Sequence, residues 1–263
     1  MNLLVGCDPE VFFKIKQREI YVPSIGLIGG TKEKPIEVRN GGLQEDNVTA
    51  EFNVNPTDDP DRFSFLVHDV KSQLDDVAEE FGLETSIKSS AVFEREAVDT
   101  PEAKVIGCDP DLNAYTKQEN NYRIDYENKP IRYAGGHIHL GHKDIVGNPA
   151  RIIDLVKIMD LYVGSTMALL DEDTERRKFY GQAGNYRPKP YGVEYRTSTN
   201  TWLIDKDLTR DVHLLTKRAF EAWKEGKHSG DNFKDIQKGI NLGDKDLIKS
   251  VLPEPSNQVV RKY

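Results

Sequence analysis

The sequence predicts an α+β domain built on a mostly antiparallel sheet. Short β-branched or alternating runs come in groups, and Gly, Pro and Asn turns or short charged stretches separate them rather than regular βαβ spacing. Long amphipathic segments with helical spacing interrupt these groups. No linker rich in Gly, Ser or Pro divides the 263 residues. We therefore expect one domain over residues 1–263.

The first 55 residues are predicted to be rich in β-strands. The stretch after Asp59 then changes to helical spacing, with Phe63, Leu66, Val70 and Leu74 on one face. Asp58 or Asp59 can cap the start of this helix, and Gly82 can end it. The strands expected before it cover residues 11–15, 20–22, 36–38 and 48–54.

The remaining chain returns to strand-like texture over residues 83–140, and a second apolar helix follows Pro149. Residues 171–192 show no clear period, and the short strand VEYRT follows them. Helices near 207–225 and 231–251 are expected to close the chain. They form a C-terminal helical part at about 204–252, with a frayed tail at 253–263.

Composition excludes several classes of function. The net charge of −8 argues against a general nucleic-acid-binding protein. No basic flank precedes the apolar N-terminus, and no apolar run approaches the roughly 20 residues that span a bilayer. The two cysteines, Cys7 and Cys108, are too few for a disulfide framework or a cysteine-rich zinc site. A cytoplasmic enzyme without a membrane partner is the expected class.

The segment GGHIHLG places His137 and His139 one residue apart on a predicted strand. Positions i and i+2 of a strand share a face, so both imidazoles point the same way. Taken alone, the pair fits exposed strand histidines as well as it fits a metal site.

Glu10, Glu51 and Glu194 lie in similar strand settings between apolar or aromatic neighbours. Any one of them could face solvent, but all three together with the two histidines favour a metal site. Oxygen-rich ligand sets suit Mg²⁺ or Mn²⁺, whereas zinc prefers more His or Cys.

A basic, tyrosine-rich run follows these acidic residues in the sequence. Guanidinium groups match phosphate or carboxylate in a bidentate manner, so this run favours a pocket that receives phosphate. A solvated helix end explains Arg176 and Arg177 equally well, whereas tyrosines frame the later arginines. The candidates are Arg176, Arg177, Arg187, Lys189 and Arg196.

Five segments together resemble the phage-type carboxylate–amine ligases (amidoligases) of the glutamine synthetase and γ-glutamylcysteine synthetase superfamily. The resemblance runs in order from about residue 3 to about residue 203, and the last ~60 residues carry no such motif. It implies a curved, mostly antiparallel sheet that lines a funnel-shaped active site, with helices packed behind it. The segments are VGCDPEVF, PSIGLIGGTK, GGLQEDNVTAEFNVNP, AGGHIHLG and RRKFYGQAGNYRPKPYGVEYRT.

The resemblance also implies residue roles and partners. The expected chemistry is ATP- and Mg²⁺-dependent amide or peptide bond formation through an acyl phosphate, with two or more ions, Mn²⁺ being an alternative to Mg²⁺. A phage origin would place the enzyme in the host cytoplasm. The expected metal ligands are Glu10, Glu51, His137 and Glu194, with Glu45 as the alternative to Glu51. The resemblance places His139 beside the nucleotide, Arg187 at the transferred phosphate and Arg196 at the acyl phosphate, so Arg187 and Arg196 are expected to be catalytic. The basic run makes Arg176, Arg177 and Lys189 further expected nucleotide-binding residues. The mechanism needs a base, for which Glu45 is the candidate and Asp46 the alternative.

Two other functions stay open at this point. A metal-dependent hydrolase could use His137, His139 and a glutamate to activate water, although it needs no arginines. An inactive nucleotide-binding relative would keep the fold without turnover. The sequence names neither the carboxylate nor the amine, so a small molecule, a peptide and a protein side chain are all candidates, and it leaves the oligomeric state open.

Overall fold

A computed structural model describes residues 2–104, 111–120, 129–226 and 232–263. Its main sheet has the strand order β3-β4-β5-β1-β11-β13-β12-β8-β9, and β2 and β6 also pair with β1. The small second sheet consists of β7 and β10. The strands are β1 (Leu4–Ile15), β2 (Tyr21–Val22), β3 (Ile36–Val38), β4 (Gly41–Asp46), β5 (Thr49–Val54), β6 (Leu83–Ser86), β7 (Ser90–Val92), β8 (Leu112–Asn113), β9 (Gln118–Glu119), β10 (Ile131–Tyr133), β11 (Gly136–Gly141), β12 (Asn185–Lys189) and β13 (Gly192–Tyr195).

The helices lie mainly in the second half of the chain. A π-helical segment, Asp160–Gly164, joins α3 to α4. Short 3₁₀ segments cover Arg95–Val98 and Asn200–Leu203. The α-helices are α1 (Pro60–Glu80), α2 (Pro101–Lys104), α3 (Pro149–Met159), α4 (Ser165–Leu170), α5 (Glu175–Phe179), α6 (Lys206–Glu225), α7 (Phe233–Leu242), α8 (Lys245–Val251) and α9 (Glu254–Lys262).

The two faces of the sheet differ because side chains alternate along each strand. In β1, Val5, Cys7 and Val11 point into the main apolar core, whereas Asp8 and Glu10 occupy the alternate positions. Helices α1, α3 and α6 cover the apolar face. The opposite face carries the polar side chains of the central strands.

The predicted α+β class with an antiparallel sheet is confirmed, because every strand pair in the described residues is antiparallel. Helix α1 is also confirmed, with Pro60 at its start and the Asp59 side chain accepting a hydrogen bond from the backbone N–H of Arg62. Phe81 and Gly82 end it, and Gly82 has a φ of 71°.

The first strand is longer than the sequence predicts, because the GCDP segment belongs to β1 rather than to a turn before it. Proline lacks an N–H and usually interrupts a central strand. Pro9 is tolerated because β1 pairs with β11 up to this residue and with β5 only from Glu10 onward. The second GCDP segment, at 107–110, lies outside the described residues, and so does Cys108.

Two predictions near the C-terminus were wrong. The helix expected over 231–251 is divided into α7 and α8 at Gly243, which has a φ of 67°. Instead of a frayed tail, residues 254–262 form α9, which buries Ser256 and Val259 against α4 and α6. Within the described ranges, no helix has both the length and the apolarity needed to cross a membrane.

Candidate active site

Strand register brings the polar residues of six neighbouring strands together across the sheet. On one side of β1, Gln44 lies opposite Glu51, and Glu51 lies opposite Glu10. On the other side, His139 lies opposite Glu194, which in turn lies opposite Arg187. Residues far apart in the sequence thus form one continuous polar surface.

Glu10, Asp46 and Glu51 form a compact cluster that we call the acidic triad. One oxygen from each carboxylate lies within 4.8 Å of the other two. Glu10 and Glu51 are buried, and Gln44 donates a hydrogen bond of 2.6 Å to Glu51. The second oxygen of Glu10 accepts a hydrogen bond of 2.6 Å from the backbone N–H of Gly135.

Burial and mutual repulsion raise the pKa values of the carboxyl groups in this triad when no cation is bound. Burial, reinforced by Asp46, raises the pKa of Glu10 to about 7. Burial together with Asp8, Asp46 and Glu10 raises the pKa of Glu51 well above its usual value. A divalent cation would remove this repulsion, and the all-oxygen donor set is the one that Mg²⁺ prefers.

Asp8, His139 and Glu194 form a second cluster, which we call the histidine triad. Their ligand atoms also lie within 4.8 Å of one another. Asp8 Oδ1 lies 3.0 Å from His139 Nε2 and 3.4 Å from His137 Nδ1. His137 Nδ1 lies 3.8 Å from Glu194 Oε1, so both imidazoles border this position.

A tyrosine hydroxyl holds each histidine at its other ring nitrogen. Tyr180 shares a hydrogen bond of 2.9 Å with His137 Nε2, and Tyr191 shares one of 2.8 Å with His139 Nδ1. Hydrogen bonds of this kind fix the ring orientation of metal-binding histidines. Both rings therefore present one nitrogen to Asp8.

Burial shifts the pKa of Asp8 upward and the pKa values of His137 and His139 downward, and charged neighbours modify each shift. Burial and the nearby Arg196 lower the pKa of His137 to about 4, so this ring is neutral at physiological pH. Burial alone would raise the pKa of Asp8, but His139 and His137 hold it well below its usual range. Burial would also lower the pKa of His139, but Asp8 raises it, so a metal ion that binds this ring must displace a proton.

Three cations surround the fully buried carboxylate of Glu194. Lys189 Nζ lies 2.8 Å from its Oε2, and Arg187 Nη1 lies 3.4 Å from the same oxygen. Arg196 pairs with its Oε1. Although burial opposes ionisation, Arg196 keeps the pKa of Glu194 at about 2.

The side chains of the two adjacent arginines of α5, Arg176 and Arg177, lie in different environments. Arg176 is buried and donates hydrogen bonds to the backbone oxygens of Thr197 (3.0 Å) and Arg196 (3.2 Å). It also lies over the ring of Tyr180, 4.7 Å from the centroid. Arg177 is buried as well, and its charged neighbours are Asp171 and Asp173 rather than the triads. Neither arginine belongs to a solvated helix end.

Glu45 lies apart from both triads, on the strand face opposite to Gln44 and Asp46. Its side chain accepts hydrogen bonds from the backbone N–H groups of Ile28 (3.0 Å) and Gly29 (2.8 Å). Glu51 rather than Glu45 therefore joins Glu10, and Asp46 rather than Glu45 is the nearby carboxylate.

A pocket of about 400 Å³ opens beside the two triads. Its lining includes members of both triads, two lysines and a tyrosine: Asp8, Glu51, His139, Lys32, Lys189 and Tyr191. Gly6 and Pro56 also line it. This volume falls in the range of small-molecule sites.

Asp8 and Tyr180 belong to the site without having been predicted, and Asp46 was expected only as an alternative base. Asp8 precedes Glu10 by two residues, so the alternation that pairs His137 with His139 would also have paired these carboxylates. The proline between them concealed the strand. Nothing in the sequence marks Tyr180, which reaches His137 through the fold alone.

Solved structures that resemble this chain share little sequence with it. The described fold is similar to solved structures of GmaS without ligand (TM-score 0.43) and of a GmaS/ADP complex (TM-score 0.40). Both are 12% identical to this chain, cover 99% of it, and are themselves covered over 67% and 68% of their length. No curated protein matches the chain.

A family model matches residues 127–262, which include the histidine strand, Glu194 and all of the C-terminal helices from α6 to α9. The family therefore extends through the last 60 residues, where the sequence analysis found no motif. The matched family is described as the phage phiEco32-like COOH.NH2 ligase, type 2. This chain belongs to that family of carboxylate–amine ligases.

Proposed function

We propose that this ligase joins a carboxylate to an amine with ATP as the energy source and Mg²⁺ as the required ion. The observation that carries the proposal is the pair of adjacent triads on one sheet face, with Arg187, Lys189 and Arg196 beside them. A hydrolase needs a metal ligand set but no such group of cations. Phosphate transfer needs both.

The donor atoms of the two triads fit divalent cations of different character. Glu10, Asp46 and Glu51 offer only oxygen, whereas the second triad adds an imidazole. When bound, the ions would neutralise the charge that develops on the transferred phosphate. Manganese suits the same ligands, so Mn²⁺ is a useful substitute in binding experiments.

The reaction that we propose has two steps. An oxygen of the substrate carboxylate attacks the γ-phosphorus of ATP, and the bond from that phosphorus to the ADP oxygen breaks. The amine nitrogen then attacks the acyl carbon, inorganic phosphate leaves, and the nitrogen loses a proton. Activation is necessary because a free carboxylate has a poor leaving group.

The protein's side chains would hold these groups in place. Arg187 and Lys189 extend from β12 and already contact a carboxylate, so they suit the oxygens of a phosphate equally well. Arg196 lies between Glu194 and Asp111, with its Nε 3.4 Å from Asp111 Oδ2, and suits the acyl phosphate. Asp46, rather than Glu45, is the carboxylate suited to take the proton of the amine.

The pocket beside the triads suits the nucleotide. It is large enough for a small molecule, its wall includes the ring of Tyr191, and lysines border it. Tyr191 also stacks on His139, with ring centroids 5.9 Å apart. We assign His139 to the nucleotide side, as the family resemblance implies, and Lys189 as well, because it lines the pocket.

A hydroxylamine assay tests the reaction without knowledge of the amine. The purified protein would be incubated with ATP, Mg²⁺, hydroxylamine and a panel of carboxylates, because hydroxylamine converts an acyl phosphate to a hydroxamate. We expect ADP release that depends on one class of carboxylate, together with a hydroxamate product. Product formation without ATP would instead support a hydrolase and contradict the proposal.

The variant Arg187→Ala tests the role of the cations in this assay. We expect ADP release to fall by at least about a hundredfold, as for loss of a single group that stabilises transition-state charge. The control is Arg218→Ala, which removes an exposed arginine of α6 that pairs with Glu221. Unchanged ADP release in Arg187→Ala would remove Arg187 from the site.

A further inference from the structure

The segment 26–34, which we call the 26–34 loop, has a fixed backbone although it contains no regular secondary structure. The Oε1 atom of Glu45 accepts hydrogen bonds from two successive N–H groups, those of Ile28 and Gly29. The backbone N–H of Glu45 also donates to the carbonyl of Gly30 at 2.9 Å. A single residue of β4 thus holds three consecutive positions of the loop.

Close packing reinforces this attachment at Gly30. A Cβ atom there would lie 2.4 Å from the backbone oxygen of Leu43, so no larger residue fits without displacing the loop from β4. The next residues form a tight turn, in which Thr31 and Lys34 exchange two backbone hydrogen bonds of 3.1 Å each. Lys32 lies inside this turn.

The turn brings Lys32 to the border of the pocket, next to the acidic triad. Lys32 lines the pocket together with Gln44 and Glu51, whereas Lys189 and Tyr191 line it from β12 and the following turn. The charge of Lys32 also reaches Asp46 and opposes the rise in pKa that burial imposes on that residue. Lysines from two separate elements therefore border the same pocket.

We propose that Lys32 is a further phosphate-binding residue of the ligase and that Glu45 is a positioning residue that acts through the 26–34 loop. This inference rests on the proposed function, because it takes the pocket to be the nucleotide site. It also gives Glu45 a different role from the proton acceptor that the sequence suggests.

The chemistry of lysine supports this assignment. Its ammonium group is a compact point charge on a flexible four-carbon stem, and lysine commonly binds phosphate in this way. The pocket wall already carries several carboxylates, so an anionic ligand needs cations around it. Lys32 and Lys189 line the same pocket, so we expect both to contact phosphate oxygens of one bound nucleotide.

Binding of a non-hydrolysable ATP analogue in the presence of Mg²⁺ tests the role of Lys32. We expect Lys32→Met to increase the dissociation constant by about tenfold in calorimetric titrations, since one charged contact is lost. The matched control is Lys34→Met, which removes an exposed lysine from the same turn without touching the pocket. That control should bind as the wild type does.

Two substitutions at Glu45 separate positioning from other roles. Glu45→Ala removes both loop hydrogen bonds and should weaken binding about as much as Lys32→Met. Glu45→Gln should restore binding, because a single amide oxygen can accept the same two N–H groups. If Glu45 acts through Lys32, the double variant Lys32→Met, Glu45→Ala should bind no more weakly than either single variant.

Four results would overturn the inference. If Lys32→Met binds the analogue as tightly as the wild type, Lys32 is not a phosphate-binding residue. Additive losses in the double variant would show that Glu45 acts independently of Lys32. Weak binding by Glu45→Gln would indicate a need for the charge of Glu45 rather than for its hydrogen bonds. A wild-type protein that binds no analogue would overturn the proposed function, and this inference with it.

Discussion

At the scale of single residues, the histidine triad depends most on Asp8. Its Oδ1 atom faces ring nitrogens of both His137 and His139, and no other described carboxylate contacts both rings at these distances. The electrostatic effect is reciprocal. The histidines keep Asp8 ionised, and Asp8 attracts a cation toward the imidazole nitrogens.

Removing the charge of Asp8 should therefore abolish one metal position and leave the other. We expect Asp8→Asn to reduce the Mn²⁺ stoichiometry in calorimetric titration from two ions to one, since the acidic triad is intact. The control is Asp76→Asn, which changes an exposed residue of α1 and should keep both ions. Full stoichiometry in Asp8→Asn would show that Asp8 is not a ligand.

The tyrosines that hold the histidines should affect metal affinity without providing ligands. We expect Tyr180→Phe and Tyr191→Phe each to weaken Mn²⁺ binding by roughly 10- to 100-fold, as is usual for such supporting hydrogen bonds. The number of ions bound should not change. Tyr133→Phe, which alters a buried tyrosine away from both triads, serves as the control. A change in stoichiometry would contradict a supporting role.

The site residues that could be predicted are those on strands whose alternation of polar and apolar residues is clear in the sequence. Glu10, Glu51, His137 and Glu194 lie between apolar neighbours, so their burial and shared face could be predicted. Glu45 was assigned to the site because nothing local distinguishes it from Asp46. The register of β4 against β5 decides between them, and that register depends on contacts between strands.

At the scale of elements, the π-helical segment Asp160–Gly164 fixes the strand that carries Glu194. The Asp160 side chain accepts a hydrogen bond of 2.7 Å from the hydroxyl of Tyr195, which follows Glu194 directly. A Cβ atom on Gly164 would lie 2.3 Å from that hydroxyl, so glycine is needed for the contact. π-Helical turns often occur beside functional sites.

The buried Asp160 should make stability depend on pH. Burial raises its pKa to about 7, above the value near 3.8 of an unperturbed aspartate. Between these values the folded protein binds a proton that the unfolded chain releases, so the free energy of unfolding falls as pH rises. We expect Asp160→Asn to flatten part of this slope between pH 4.5 and 7.5, by a few kcal/mol at most.

Chemical denaturation at several pH values measures this effect. The exposed Asp154 of α3 provides the control, because Asp154→Asn should keep the wild-type slope. An unchanged slope in Asp160→Asn would show that Asp160 is ionised in the folded protein at low pH.

Elements with a strong period could be predicted, and those defined by their partners could not. Helix α1 has seven buried residues at helical spacing, so its existence and start follow from the sequence. Strand β4 reads GGLQED, which resembles a turn, and it exists because β3 and β5 pair with it on both sides. Residues 171–192 likewise show their helix and strand only in the folded protein.

At the scale of the whole molecule, the two triads couple metal binding to proton release. Without an ion, burial and repulsion favour protonated carboxylates, with the pKa of Glu10 at about 7. A bound ion requires these groups to be ionised, so its affinity should rise with pH. We expect Mg²⁺ to raise the melting temperature more at pH 8 than at pH 5.5. Equal shifts at both values would contradict binding at the acidic triad.

The central claim is that one pocket binds a nucleotide together with metal ions. The most direct test is the melting temperature with and without a non-hydrolysable ATP analogue, each measured with and without Mg²⁺. A ligand at about 100 times its dissociation constant stabilises the folded state by roughly 2.7 kcal/mol. We predict a larger increase with nucleotide and Mg²⁺ together than with Mg²⁺ alone, and no increase with the nucleotide alone. No response to the nucleotide, with an increase from zinc or manganese alone, would contradict the ligase mechanism and favour a metal-dependent hydrolase.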